Sequence, residues 1–166
     1  MTRLNSAIRR LTAQRACLDW ACSQIHHRDG LILELGLGNG RTYDHLRARL
    51  PEHRIMVFDR VLASHPESRP PPENFMLGEL RETLPKFAAQ SSEKVILAHL
   101  DLGGGAADQT QINLSGVEAQ LASLVAPVGL VISDQPLDLF SSFVNFVAVT
   151  LPDSVEVDRY FIYQKA

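Results

Sequence analysis

The chain has 166 residues, enough for one domain with a substantial core. Its 45% hydrophobic and 21% charged content is that of an ordinary globular protein rather than a disordered or fibrous one. A formal net charge of −3 argues against general electrostatic affinity for nucleic acid or anionic membrane, and no apolar run is long enough to span a bilayer.

The opening stretch, MTRLNSAIRRLTAQR, is basic but has no apolar segment of the kind a secretory signal needs, so a cytoplasmic protein is expected. Residues 3–27 read as a helix, because Leu4, Ile8, Leu11, Leu18, Cys22 and Ile25 recur at spacings of three, four and seven. Its apolar stripe would pack across one end of a sheet. The stripe, or an exposed side carrying Trp20, could instead join subunits into a homo-oligomer. Cys17 and Cys22 fall on different parts of this helix and read as packing thiols. Gly30 would cap the helix end.

The most informative stretch comes next, Leu31 to Leu46, LILELGLGNGRTYDHL. An apolar strand, Leu31 to Leu35, passes through Glu34, then Gly36, Gly38 and Gly40 at alternate positions, then a helix start. Glycines let a loop backbone turn sharply and lie against a ligand. The N-terminus of the helix that follows offers free N–H groups, and Thr42 or Asn39 would cap it. A dinucleotide-binding loop spaced G-x-G-x-x-G would need a glycine at position 41, which is Arg41.

The helix is expected over about 42–50, stopped by Pro51, and a second strand over 54–58 ends in Asp59. A carboxylate at this strand end is where nucleotide-binding α/β sheets hold ribose hydroxyls, and Arg60 could lie along an adenine face. The proline-rich stretch VLASHPESRPPPE, 61–73, replaces the usual second helix with a stiff loop. A third strand over 74–77, a helix over 80–90 and a fourth strand over 94–100 follow. His99 and Asp101 stand two apart at the end of that strand and so on one side of it. His99 titrates in the range that suits proton transfer. A helix over 110–125 and a strand over 129–133 lead to Asp134. Residues 138–151 are ambiguous between helix and strand, and 155–164 read as a closing strand.

The E-x-G-x-G-x-G pattern of Glu34, Gly36, Gly38 and Gly40 resembles motif I of the class I S-adenosyl-L-methionine (SAM)-dependent methyltransferases. Taken together, GLGNGRTYDHL, VFDR and LGELRETLP resemble a family of small bacterial SAM-dependent methyltransferases, over nearly the whole chain. The resemblance implies an α/β fold: a Rossmann-like, doubly wound, mostly parallel sheet over 30–166, with an added N-terminal helix in 1–29. It implies methyl transfer from SAM to an acceptor. The cofactor would be held by Glu34, Gly36, Gly38, Gly40, Thr42, Asp59, Arg60, Glu79 and His99, with Glu34 toward the amino end and Glu79 toward the adenine. His99 and Asp101 are the candidates for proton transfer. Asp101 and Asp134, with Gln135, resemble the metal site of the catechol-type O-methyltransferases, but the surrounding sequence does not, so no metal is assigned. By elimination the acceptor is read as a small molecule, with neither nucleic acid nor membrane as partner. A SAM-binding sensor or scaffold without turnover is the alternative, and an NAD-linked enzyme is disfavoured by Arg41.

Overall fold

The computed structural model describes residues 2–102, 114, 116–137 and 145–166. A seven-stranded sheet runs in the order β3-β2-β1-β4-β5-β7-β6. Five strands are parallel: β1 (Leu31–Leu35), β2 (Ile55–Asp59), β3 (Phe75–Leu77), β4 (Val95–Leu100) and β5 (Val125–Ser133). The last strand, β7 (Phe161–Lys165), runs antiparallel to β5, and β6 (Phe146–Ala148) pairs antiparallel with β7. The helices are α1 (Arg3–Ile25), α2 (Arg41–Arg49), α3 (Leu80–Gln90) and α4 (Val117–Leu124).

The sheet divides two cores, as the continuous burial of its central strands β1 and β4 on both faces requires. On one face α1 and α2 bury Cys17, Leu18, Ile25 and Leu46 against Ile32, Val57, Leu97 and Ile132. On the other, α3 and α4 bury Leu84, Phe87, Val117 and Leu121 against Leu33, Phe58, Ala98 and Val131. This is the doubly wound α/β arrangement. Burial pushes the Cys17 thiol up to about 12 and the Cys22 thiol up to about 11, so both stay protonated and serve packing.

Several local expectations are corrected. α1 stops at Ile25 with His26 as its C-cap, and Gly30 instead admits the chain beside Ile96 and Lys94. Leu4 and Ile8 are exposed because the first turns of α1 run past the apolar floor, while Trp20 packs against the core rather than standing free. Gly40, not Asn39 or Thr42, is the N-cap of α2, with φ of 86°. The proline-rich loop holds two short 3-10 turns, Pro66–Ser68 and Pro72–Asn74. Strand β5 begins at Val125, four residues early, with Val128 at φ 61° absorbing a register shift against β4. The closing strand begins only at Phe161, because turns over 152–159, with Asp158 at φ 64°, come first. β6 resolves the ambiguous segment as strand from Phe146, and 138–144 lie outside the described residues. The predicted helix over 110–125 is described from Val117.

Two of the loop glycines are required by close approach. A Cβ on Gly36 would lie 2.3 Å from the Asp101 carbonyl oxygen, and one on Gly40 would lie 2.7 Å from the Ser68 Cβ. A Cβ on Gly38 would meet nothing within 4 Å. Gly36→Ala should therefore cost about 2–4 kcal/mol, from positive-φ strain plus the clash. Gly38→Ala should cost only about 1–2 kcal/mol, from strain alone. Denaturant unfolding of the two variants checks this, and equal losses would contradict it.

Candidate functional site

At the carboxyl ends of the parallel strands, strand order reverses between β1 and β4, and this is where open α/β sheets form a ligand crevice. The backbone seals the floor of the crevice: the Asp101 N–H donates to the Leu35 carbonyl at 3.0 Å and the Gly36 N–H to the Phe58 carbonyl at 2.8 Å. Two lobes meet at Gly36, Gly38 and Asp101. One, of about 260 Å³, lies between β2 and α3 and is walled by Phe58, Asp59, Arg60, Glu79, Leu80 and Leu102. The other, of about 480 Å³, lies under α1 and is walled by Arg10, Leu11, Gln14, Arg41, Asp134 and Gln135.

Asp59 stands at the first lobe, and its carboxylate is already in use. Oδ2 accepts the N–H groups of Leu37 at 2.7 Å and Gly38 at 2.9 Å, while Oδ1 accepts that of Val61 at 3.1 Å. A carboxylate has about four lone-pair positions. One therefore remains, on Oδ1, while the loop keeps this form. Arg60 and Glu79 flank the same lobe, exposed, with Nη1 and Oε1 3.9 Å apart. Thr42 borders the second lobe but turns its hydroxyl inward to donate to Glu34.

Beneath the crevice lies a buried polar chain that the sequence did not show. Glu34 and His99 both have zero exposure. His99 Nδ1–H donates to Glu34 Oε2 at 2.7 Å, and His99 Nε2 lies 3.0 Å from the Tyr160 hydroxyl. Gln14 of α1 then donates to the Tyr160 oxygen at 2.8 Å and to Asp101 Oδ2 at 2.8 Å. Burial pulls the His99 pKa down, but the Glu34 charge and hydrogen bond, with Asp101 and Asp134 beyond, outweigh it and hold the pKa above its usual value. Burial and these same carboxylates push the Tyr160 phenol well up, so it stays protonated.

These contacts change the roles read from the sequence. Glu34 and His99 present no surface to the crevice, because each spends its polar atoms on the other and on Thr42 and Tyr160. They lie beneath the crevice and border neither lobe. Gly40 is likewise buried under Ser64 and Ser68 and borders neither lobe. Asp101 borders both lobes. Gln14 and Tyr160 could not be found from sequence, since they lie 146 residues apart with no shared motif.

Asp101 and Asp134 give the junction its electrostatic character. Neither has an ion-pair partner among the described residues. Desolvation, then the Asp101 charge, raises the Asp134 pKa above its ordinary value, against smaller opposing effects of His99 and Gln135. Such a pair repels a pyrophosphate and attracts a cation. Among the described residues no group of three or more His, Cys, Asp or Glu is placed to hold a metal ion.

The S-adenosyl-L-methionine methyltransferase family model matches residues 1–165. This chain belongs to that family. The structure of an S-adenosyl-L-methionine methyl transferase from Silicibacter pomeroyi DSS-3 has a TM-score of 0.90 and 37% identity, covering 100% of this chain and 99% of that one. Human methyltransferase-like protein 13 in complex with S-adenosylhomocysteine (SAH) gives 0.63 at 11% identity, over 93% of this chain and 81% of that one. The fibrillarin pre-rRNA processing protein of Methanococcus jannaschii gives 0.54 at 16% identity, over 84% and 67%. At such identities the last two share the fold alone. No curated protein matches the chain. The chain is thus a SAM-dependent methyltransferase with the Rossmann-like class I fold, and SAM is its cofactor. Among the described residues no helix is long and apolar enough to cross a membrane.

A desolvated carboxylate is a stability cost that depends on pH. For Asp134 the cost is absent below the unfolded-state value near 3.8 and grows as pH rises through the elevated folded-state value. Without cofactor, Asp134→Asn should therefore raise the melting temperature at pH 7, and the gain should shrink as pH falls toward about 4. A gain independent of pH would contradict this.

Proposed function

We propose that this methyltransferase acts on a small molecule bound under α1, with the SAM nucleoside in the lobe between β2 and α3. The observation that carries this reading is the junction of the two lobes at Gly36 and Asp101, where two carboxylates stand without a paired cation. An ammonium and a sulfonium are the charges that such a junction favours. In the first lobe Asp59 has one acceptor position for a ribose hydroxyl, and Phe58, Leu80 and Leu102 offer apolar walls to a purine. Glu79 stands where it can accept from an exocyclic amine, and Arg60 can cover the ring face.

When bound, SAM supplies a methyl carbon on a positively charged sulfur, and transfer makes a bond from the acceptor to that carbon while the electron pair of the broken bond stays on sulfur. The protein's own part is alignment and exclusion of water. The rigid Gly36–Gly38 turn, tied to Asp59, fixes one partner. α1, tied through Gln14 to Asp101, covers the other. If the acceptor must lose a proton, Asp101 is the group placed to accept it. We assign that role to Asp101 rather than His99, because His99 lies behind Tyr160 and Gln14.

The second lobe, about 480 Å³, lies within the range of roughly 300–1,000 Å³ usual for small-molecule pockets. Its junction is acidic and the chain carries a net charge of −3, which opposes a nucleic-acid backbone. The alternative of a SAM sensor without turnover shares the first lobe but needs no acceptor chamber, and the larger lobe favours the enzyme. Leu4 and Ile8, exposed on α1, agree with the self-association proposed for that helix.

The test is calorimetric titration with SAH. Asp59→Ala should weaken SAH binding at least about tenfold, since it removes a charge-assisted acceptor and the anchor of the glycine turn. Unchanged affinity would overturn the ribose assignment.

A further inference from the structure

The chamber under α1 carries two cations that the fold itself does not use. Arg9, Arg47, Arg49 and Arg54 each pair with a carboxylate. Arg10, on α1, and Arg41, the first residue of α2, both border the chamber, and neither guanidinium has a hydrogen-bond or ion-pair partner among the described residues. Unpaired guanidiniums beside a polar cavity are suited to carboxylate or phosphate, which they bind through parallel N–H donors.

The charges of the cofactor leave one of these cations over. Resting on the methyltransferase reading above, SAM brings an ammonium, a sulfonium and a single carboxylate. The two positive groups suit Asp101 and Asp134. The single carboxylate needs one guanidinium, and Arg41 follows directly on the glycine turn along which the cofactor lies. Arg10 reaches the same chamber from another element, α1, one residue before Leu11. Room is left over in the same place. The chamber holds about 480 Å³ against about 260 Å³ for the nucleoside lobe, although the amino-acid end of SAM is the smaller half of that molecule.

We propose that Arg10 binds an anionic group, carboxylate or phosphate, on the methyl acceptor, so that the substrate is a small organic acid or phosphate ester. Leu11 lies beside it for an apolar part of that substrate, and Asp101 stands at the reacting end. Arg10 is thus a specificity residue on the face of α1 that Gln14 locks to the sheet.

The experiment compares the wild-type protein with Arg10→Gln and Arg10→Lys. Arg10 is exposed on its helix, so folding is not at stake. Calorimetry first measures SAH and methylthioadenosine, which lacks the amino-acid end. Ligand-observed NMR on the SAH complex then screens small carboxylates and phosphate monoesters, each against its neutral amide or alcohol counterpart. The expected result is that Arg10→Gln leaves SAH affinity within about twofold of wild type. The wild-type complex prefers acids to their neutral counterparts, Arg10→Gln weakens those acids at least about tenfold, and Arg10→Lys keeps part of the preference. Whether carboxylates or phosphate esters are retained identifies the anion. Two results overturn the proposal: no preference for acids, or a tenfold loss of SAH but not of methylthioadenosine in Arg10→Gln, which would put Arg10 on the cofactor's own carboxylate. Failure of the wild-type protein to bind SAH would be a separate outcome, overturning the methyltransferase reading beneath the proposal as well.

Discussion

The carboxylate of Glu34 has no access to solvent, and that constraint organises the site. A buried carboxylate is costly unless it is paired and its lone pairs are met. Thr42 meets one oxygen and thereby fixes the first turn of α2, and His99 meets the other and ties β1 to β4. His99 in turn requires Tyr160, and Tyr160 receives Gln14, which brings α1 over the crevice and reaches Asp101. Breaking a buried pair of this kind typically costs about 3–5 kcal/mol, comparable with a large part of a domain's stability. Glu34, His99 and Tyr160, which border neither lobe, thus decide where Thr42, Gln14 and Asp101 stand.

The same economy of charge runs through the crevice itself. The positive-φ turn at Gly36 and Gly38 aims the Leu37 and Gly38 N–H groups at Asp59, so the loop is held by the carboxylate that also faces the lobe between β2 and α3. The burden of negative charge falls on Asp101 and Asp134 at the junction, and unpaired positive charge falls on Arg10 and Arg41 across the chamber. The proposed placement of SAM, zwitterionic and positively charged, between these sets rests on that division, whereas a dinucleotide would bring its pyrophosphate against the acids.

Much of the fold could be read directly because apolar runs and punctuation agree. Leu31–Leu35 and Leu80–Gln90 fall where pattern put them, and the proline-rich loop replaces a helix as its composition requires. Boundaries failed where long-range packing overrode local pattern: Val128 and Asp158 adopt positive φ to meet sheet register and turns, which nothing in their neighbours' sequence announces. At the site, the glycine turn, Asp59, Arg60, Glu79 and Asp101 could be placed from sequence because each follows a strand end. The inward rotation of Glu34 and His99 could not be, since His99 is met by Tyr160 and Tyr160 in turn by Gln14, from the two ends of the chain. Arg10 escaped for the same reason, being one basic residue among several in α1 until the helix was laid across the crevice.

The most direct test of the account is a crystal structure of the protein with SAH. It should show the ribose on Asp59, the amino-acid end beside Asp101 and Asp134, and Glu34 still buried against Thr42 and His99. SAH bound through Glu34 and His99 turned out toward the ligand, with Tyr160 and Gln14 released, would contradict the claim that Glu34, His99 and Tyr160 support the site without touching what it binds.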